Sequence, residues 1–194
     1  MTPVNAPTFP QTIYGVEKVF DEGLGNYYFL KYGVDFRALR YPSIISSQNS
    51  NLHGTGSYIT EIFFDLLANR HYTCYLKPDT ILPAIHIDDT VEASLRMIKA
   101  DRKKLRRTSY NLGGIPITPE TLIAEVKKIM PFEFTVSYEI DPLRQAIADS
   151  WPDSMDDKET REDCFGEWLY IDDIEKLANH IYHQIDQFLC GQRI

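Results

Sequence analysis

Tyr14-Gly15-Val16-Glu17-Lys18 sets a phenol and an ammonium four residues apart, which on a helix puts them on one face, one turn from each other. A phenol titrates near ~10, too high for a general base at neutral pH. A lysine ammonium beside it, together with a cationic nicotinamide, favours the phenolate and lowers that value. Tyr14 can then accept the hydroxyl proton of an alcohol while a hydride leaves to NAD. Spacing alone is weak evidence, because Tyr27 and Lys31 repeat it in the same predicted helix and read as ordinary surface and core. What separates Tyr14/Lys18 is position. The pair opens a helix, ahead of a strand that ends at Arg40-Tyr41-Pro42 and a long polar loop.

Other constellations carry less. Gly54-Thr55-Gly56-Ser57 invites a phosphate-loop reading, but Ile59 stands where a third glycine is needed. The connection is also too long for the tight strand-to-helix turn of that fingerprint, so it reads as a substrate-covering loop. His86-Ile87-Asp88-Asp89 reads as a strand end followed by a helix cap. His180 and His183 lie one turn apart with no carboxylate or third histidine spaced to complete a zinc set, and no metal site is expected. The acidic stretch Asp153–Asp163 reads as a solvated loop. Neither a Gly-x-Ser-x-Gly elbow nor a Cys/His nucleophile pair stands out.

The elements that must position these residues alternate. Residues 1–13, rich in Pro, Thr and Asn, read as an arm or loop. A helix is expected from about Tyr14 to Tyr32, with Val19, Phe20, Leu24, Tyr27, Tyr28 and Lys31 along a stripe and Gly33 as C-cap. Gly23 and Gly25 lie inside it at about 1 kcal/mol each relative to Ala, a cost that points to close packing there. Val34–Tyr41 alternates like a strand stopped by Pro42, and Ser46–Ser57 reads as a long loop. Then come a helix from Tyr58 to Ala68, strands His71–Leu76 and Ile81–Ile87, and a helix capped by Asp88 or Asp89. Beyond them lie a strand Ser109–Leu112, a helix opened by Thr118-Pro119, a strand Phe132–Tyr138, a short helix Pro142–Ser150 and an amphipathic helix Ile171–Leu189. Strands alternating with helices are the α/β pattern. The expectation is one domain over 1–194, with a core helix and strand over about 14–45 and substrate-loop and C-terminal lobe elements interleaved over about 46–194.

Composition narrows the function classes. A net charge of −8 and a pI near 5.1 argue against a general nucleic-acid binder. No apolar run approaches the roughly 20 residues that span a bilayer, so no membrane partner is expected. Residues 1–7 have neither the flanks of a signal peptide nor the arginines of a transit peptide. Three scattered cysteines, without Cys-x-x-Cys, fit a reducing compartment. The bulk reading is an acidic intracellular protein.

Several segments, read in order, resemble the extended short-chain dehydrogenases, specifically the L-threonine 3-dehydrogenases related to sugar epimerases. They are Tyr14–Lys18, Gly33–Pro42, Cys74–Pro83, Tyr110-Asn111 before Thr118-Pro119-Glu120, and the long match Asp141–Pro152. That last segment is the most specific, and the resemblance runs from about Pro10 to the terminal helix. It implies oxidation of the β-hydroxyl of L-threonine to 2-amino-3-ketobutyrate with NAD reduced. It implies Tyr14 as proton acceptor, Lys18 on the nicotinamide ribose and Ile44 packed by the nicotinamide. Thr55 and Ser57 would lie at the loop contacting the amino acid, with Trp151 in the substrate lobe. It further implies a homodimer through the 14–32 helix and, from eukaryotic members, a mitochondrial location. The fold implied is the C-terminal part of a doubly wound Rossmann-type sheet plus a small α/β substrate lobe.

Three departures accompany the resemblance. The family's Gly-rich turn, acidic ribose-binding residue and active-site Ser or Thr precede the Tyr/Lys pair, so the N-terminal dinucleotide-binding strands are expected to be missing, and most NAD affinity with them. Gly54-Thr55-Gly56-Ser57-Tyr58 stands where the family has Gly-Thr-Thr-Asp-Tyr, and Ser43 replaces the glycine after Arg-Tyr-Pro. A non-catalytic dimer partner of an intact subunit and a nucleotide-sugar epimerase or dehydratase are the rival readings. An unpaired sheet edge is expected on the truncated reading, and with it marginal stability of the isolated chain. Denaturant melts check this; a purified monomer with one cooperative transition at high denaturant would contradict it.

Overall fold

The computed structural model describes residues 1–47, 54–165 and 171–191. Its first helix, α1 (Ile13–Tyr32), begins where Thr12 Oγ1 accepts the Gly15 amide at 3.1 Å. It ends at Gly33, whose positive φ and N–H to the Phe29 carbonyl close the last turn. The expected strand over 34–41 contracts to β1 (Ala38–Arg40), because Arg37 is drawn elsewhere. Its guanidinium donates to the carbonyls of Met97, Ile98 and Ala100 and pairs with Asp35. Those carbonyls close α3 (Ile87–Lys99), whose end they would otherwise leave unsatisfied. After Pro42 the chain resumes as β2 (Ser43–Ile45).

Helix α2 (Tyr58–Asn69), strand β3 (His71–Cys74) and strand β4 (Leu82–His86) follow, and then α3. The cap of α3 is neither Asp88 nor Asp89, as expected from sequence, but His86, whose Nδ1 accepts the Asp88 amide at 3.2 Å. Next come β5 (Ser109–Asn111) and β6 (Ile115–Ile117). The sequence did not announce β6, because Pro116 sits in its middle. It is tolerated on an outer strand, where Pro116 stands opposite Pro83, another residue without an N–H. Helix α4 (Pro119–Ile129) starts as expected, with Thr118 Oγ1 accepting the Thr121 amide. Strand β7 (Thr135–Tyr138), α5 (Pro142–Asp149), the short α6 (Lys158–Thr160) with a π turn over Arg161–Phe165, and α7 (Ile174–Gly191) complete the chain.

The strands form a mixed α/β set. β1 runs parallel to β5; β2 runs parallel to β4, which pairs antiparallel with β6; β3 runs parallel to β7. All residues of β4 are buried. The main core joins α2, α4 and α7 over β3, β4 and β6, with Phe63, Leu66, Leu82, Val126 and Ile181 fully enclosed. A second, smaller core lies between α3 and β5 and holds Ile85, Met97, Tyr110 and Leu112.

The acidic stretch 153–163 is not the solvated loop expected. Arg106 binds Asp163 and Glu162, Arg107 binds Glu159, and Tyr110 donates to Asp163 at 2.6 Å. Nor is the N-terminal arm loose: Thr2 donates to the Ser154 carbonyl and receives the Asp156 amide, both at 2.9 Å. Among the described residues no helix is long and apolar enough to cross a membrane.

Helix α1 sits apart from both cores, with Gly25 its one buried residue. A Cβ at Gly25 would run into the Phe36 ring, while one at Gly23 would meet nothing within 4 Å. The expectation of close packing therefore holds at Gly25 and fails at Gly23. Gly25→Ala should destabilise by about 1–3 kcal/mol through overpacking, whereas Gly23→Ala should stabilise by about 0.5–1 kcal/mol through helix propensity. Urea melts of both variants check the contrast; equal effects would mean that Phe36 yields freely.

Candidate active site

The site begins with how α1 is held. Arg40, the last residue of β1, lies against α1 and forks onto Glu22, Nε to Oε1 at 2.8 Å and Nη2 to Oε2 at 2.7 Å. Its remaining nitrogen, Nη1, donates to the Val4 carbonyl at 2.8 Å. One guanidinium thus ties helix, strand end and N-terminal arm. Glu22 holds the Arg40 cation above its ordinary range, against the cost of partial burial.

That arrangement fixes the start of α1, and with it Tyr14, over the chain that leaves β1. A cavity of about 610 Å³ opens there. Tyr14 and Gly15 line it from α1, Phe9 to Thr12 from the arm, and Tyr41, Pro42 and Ser43 from the β1–β2 junction. Pro83 closes the sheet side, and Ile147, Trp151 and Met155 close the far wall. Most of these surfaces are hydrocarbon, with the Tyr14 phenol and Ser43 hydroxyl among the few polar groups, the usual make-up of a small-molecule site. Tyr14 is 71% exposed and Trp151 39%.

Trp151 is placed by α5. Asp141 caps that helix by accepting the Leu143 and Arg144 amides, and the Trp151 amide closes its end on the Ala148 carbonyl at 3.0 Å. Gln145 anchors it. This buried amide accepts the Lys77 N–H at 2.9 Å and donates to Thr80 at 3.0 Å and Asp149 at 2.6 Å. In the sequence Gln145 is only one residue inside the Asp141–Pro152 segment. Its role depends on a turn far away in the chain, and a glutamine in an amphipathic helix carries no local signal of that.

The structure brings Tyr14 and Trp151 to one cavity and sets the other expected residues around it. Lys18 lies one turn along from Tyr14, with Nζ 5.6 Å from the phenol ring centroid and 3.0 Å from Asp21 Oδ2. Asp21 raises its pKa, so the ammonium stays charged. The repeat pair differs, since Lys31 donates directly to the Tyr27 hydroxyl at 2.7 Å. Ile44, 40% exposed on β2, follows Ser43 but does not line the cavity. Thr55 and Ser57 are buried in a 3-10 turn ahead of α2 and do not line it either. Ser57 Oγ accepts the Gly54 amide at 3.0 Å, so this turn does not offer that N–H to a phosphate. The turn lies behind Ser43 at Gly56, where a Cβ would come within 2.8 Å of Ser43 Oγ. Ser43 and Gly56 are therefore matched: a side chain at one occupies the space left by the other.

Arg40→Lys keeps the charge but not the fork. It should cost about 1–2 kcal/mol in urea unfolding, whereas Lys128→Ala, which breaks an exposed pair with Glu125, should cost less than about 0.5 kcal/mol. A cost for Arg40→Lys no larger than the control would show that the fork does not hold α1.

Residues 2–113 match the NAD dependent epimerase/dehydratase family. The chain is 47% identical over 169 residues to the mitochondrial L-threonine 3-dehydrogenase of Bos taurus, covering 87% of this chain and 44% of that protein. It therefore spans less than half the length of that curated relative. Its fold superposes on the crystal structure of L-threonine dehydrogenase from Phytophthora infestans with a TM-score of 0.90 and 37% identity, covering 96% of this chain and 59% of that one. The nucleoside-diphosphate-sugar epimerase of Agrobacterium tumefaciens, at 18% identity and a TM-score of 0.80, shares the fold.

Proposed function

The chain belongs to the NAD dependent epimerase/dehydratase family, and from that premise we propose that it carries the catalytic-pair and substrate-lobe part of an NAD-dependent L-threonine 3-dehydrogenase. The reaction is oxidation of the L-threonine β-hydroxyl to 2-amino-3-ketobutyrate, with one hydride passing to NAD and one proton released. The observation that carries this reading is the meeting of Tyr14 and Trp151 at one largely apolar cavity, in a chain similar to threonine dehydrogenases.

Tyr14 takes the hydroxyl proton, with the Lys18 ammonium one turn along beside its ring. Trp151, Pro42, Pro83 and Ile147 exclude water and receive the apolar part of the substrate. Ser43 offers its hydroxyl to the substrate's polar groups, and Thr55 and Ser57 act on the site through Gly56, which backs Ser43. NAD, when bound, supplies the hydride acceptor. The described residues fit its nicotinamide–ribose end. Lys18 has ammonium donors beyond the one given to Asp21, the Tyr14 phenol is exposed, and Ile44 presents open aliphatic surface.

Helix α1 supports a homodimer. Ile13, Val16, Phe20, Leu24 and Tyr27 are all exposed and recur at three- and four-residue spacing, on the face away from Gly25. Such a stripe is ordinarily covered by a partner. We extend to this chain the mitochondrial location that the bovine relative's name carries.

The functional test is threonine-dependent NADH formation by the chain alone and by the chain co-expressed with the dinucleotide-binding half of a threonine dehydrogenase relative. Activity is expected in the complemented sample at least, with Tyr14→Phe reducing it by about 10²–10⁴-fold. Turnover of a nucleotide sugar instead, or threonine oxidation indifferent to Tyr14→Phe, would overturn the assignment. Analytical ultracentrifugation should find a dimer that Phe20→Asp converts to monomer; a monomeric wild-type chain would remove α1 as an interface.

A further inference from the structure

At the opposite end of β4 from Leu82, three metal-ligating side chains from two distant parts of the chain converge. His86 ends β4 with its side chain buried, Asp88 lies in the first turn of α3, and His180 is delivered by α7. Sequence spacing gave the histidines of α7 no carboxylate; the fold supplies one. Asp88 Oδ2 stands 3.5 Å from His86 Nδ1 and 3.7 Å from His180 Nε2, and one ligand atom from each residue lies within 4.8 Å of the others. The imidazole rings meet edge to face with centroids 4.5 Å apart.

The hydrogen bonds around these atoms fix what each nitrogen presents. His86 Nδ1 accepts the Asp88 N–H at 3.2 Å, so it bears a lone pair and no proton. Ser47 Oγ donates to Gln184 Oε1 at 2.6 Å, which turns the Gln184 amide N–H₂ toward His180 Nε2 at 2.8 Å. That nitrogen is therefore an acceptor as well. Both imidazole lone pairs thus lie on the side of the Asp88 carboxylate, each at present accepting an N–H whose place an ion would take. The two separations from Asp88 Oδ2 are close to those that one requires. Ligand bonds of about 2.0–2.2 Å in a tetrahedral zinc site put neighbouring donor atoms roughly 3.3–3.6 Å apart. The far nitrogen of His86, Nε2, is buried without a hydrogen-bond partner among the described residues. No bond on that side opposes a small rotation of the ring onto an ion. The Asp88 side chain is 70% exposed, which leaves an entry path from solvent.

We propose that His86, Asp88 and His180 form a three-ligand site for a divalent transition metal of the zinc class. The ion joins α7 to the end of β4 and the start of α3, leaves a fourth position open, and takes the place of the Asp88 N–H at His86 Nδ1 and of the Gln184 amide at His180 Nε2. Imidazole and carboxylate donors together suit zinc and its first-row neighbours rather than calcium or magnesium. The site is independent of the dehydrogenase reading, since none of its three ligands lines the Tyr14 cavity.

The test uses untagged, chelator-treated protein titrated with Zn²⁺ by thermal shift and calorimetry, and with Co²⁺ by visible absorption. One equivalent should bind and raise Tm, because an ion held by the native state alone stabilises it. The Co²⁺ complex should show d–d bands without a thiolate charge-transfer band. His180→Ala and Asp88→Asn, both at side chains with solvent exposure, should each weaken binding about tenfold or more while keeping the apo circular dichroism. His183→Ala, one turn away, should bind as wild type. Absence of saturable one-to-one binding, a thiolate band that puts the ion on cysteine, or affinity unchanged in both ligand variants would overturn the proposal.

Discussion

The Arg40 guanidinium is the tie on which the candidate site depends. Helix α1 buries almost nothing of its own, so neither core holds it in place. Its position against β1 rests on the fork between Arg40 and Glu22 and on the fit of Phe36 over Gly25, with Thr108 donating to Asn26 and the Arg102 guanidinium over the Phe29 ring as further ties along the helix. The same guanidinium takes the Val4 carbonyl and so brings in the N-terminal arm, whose residues 9–12 form one wall of the cavity. A bidentate, partly buried ion pair suits this task. It is directional, and Glu22 holds the guanidinium firmly in its charged form.

From that tie the site follows in steps. The N-terminal turn of α1 hangs Tyr14 over the β1–β2 junction, and Lys18 lies one turn behind it. Pro42 separates β1 from β2 and delivers Ser43 to the cavity. The far wall is built independently, by α5 and its buried Gln145, and is joined to the near wall where Thr2 bridges to the segment around Met155. Tyr14 and Trp151 are therefore brought together by two separate anchors rather than by one packed core. The apolar stripe of α1 points away from both, so one helix presents chemistry on one side and a partner surface on the other.

Much of this was legible in the sequence wherever a local rule decides the outcome. Gly33 and Thr118-Pro119 marked helix ends because caps act within a few residues. Tyr14 is legible from its spacing to Lys18 at a helix start, Trp151 only through resemblance to a family, and the Asp141–Pro152 segment does more for that resemblance than the Tyr/Lys spacing, which Tyr27/Lys31 repeats. What stayed hidden depended on partners distant in the chain. Arg37 left the expected strand to close the carbonyls of α3. The acidic stretch 153–163 looked solvated because its arginines, Arg106 and Arg107, lie far away in the chain, in the connection before β5. His86 displaced Asp88 as a cap because a strand-end imidazole reached the amide first. The Ser43–Gly56 match likewise appears only when two loops are seen against each other.

The central claim is that Tyr14 accepts a proton while the β-hydrogen of threonine leaves as hydride. The most direct measurement follows that hydrogen. L-threonine carrying deuterium at Cβ is incubated with NAD and the complemented protein, and the reduced nucleotide is examined by mass spectrometry. The expected result is one deuterium in each NADH formed. Unlabelled NADH with the label washed into solvent, or labelled threonine recovered intact while a nucleotide sugar is turned over, would contradict it.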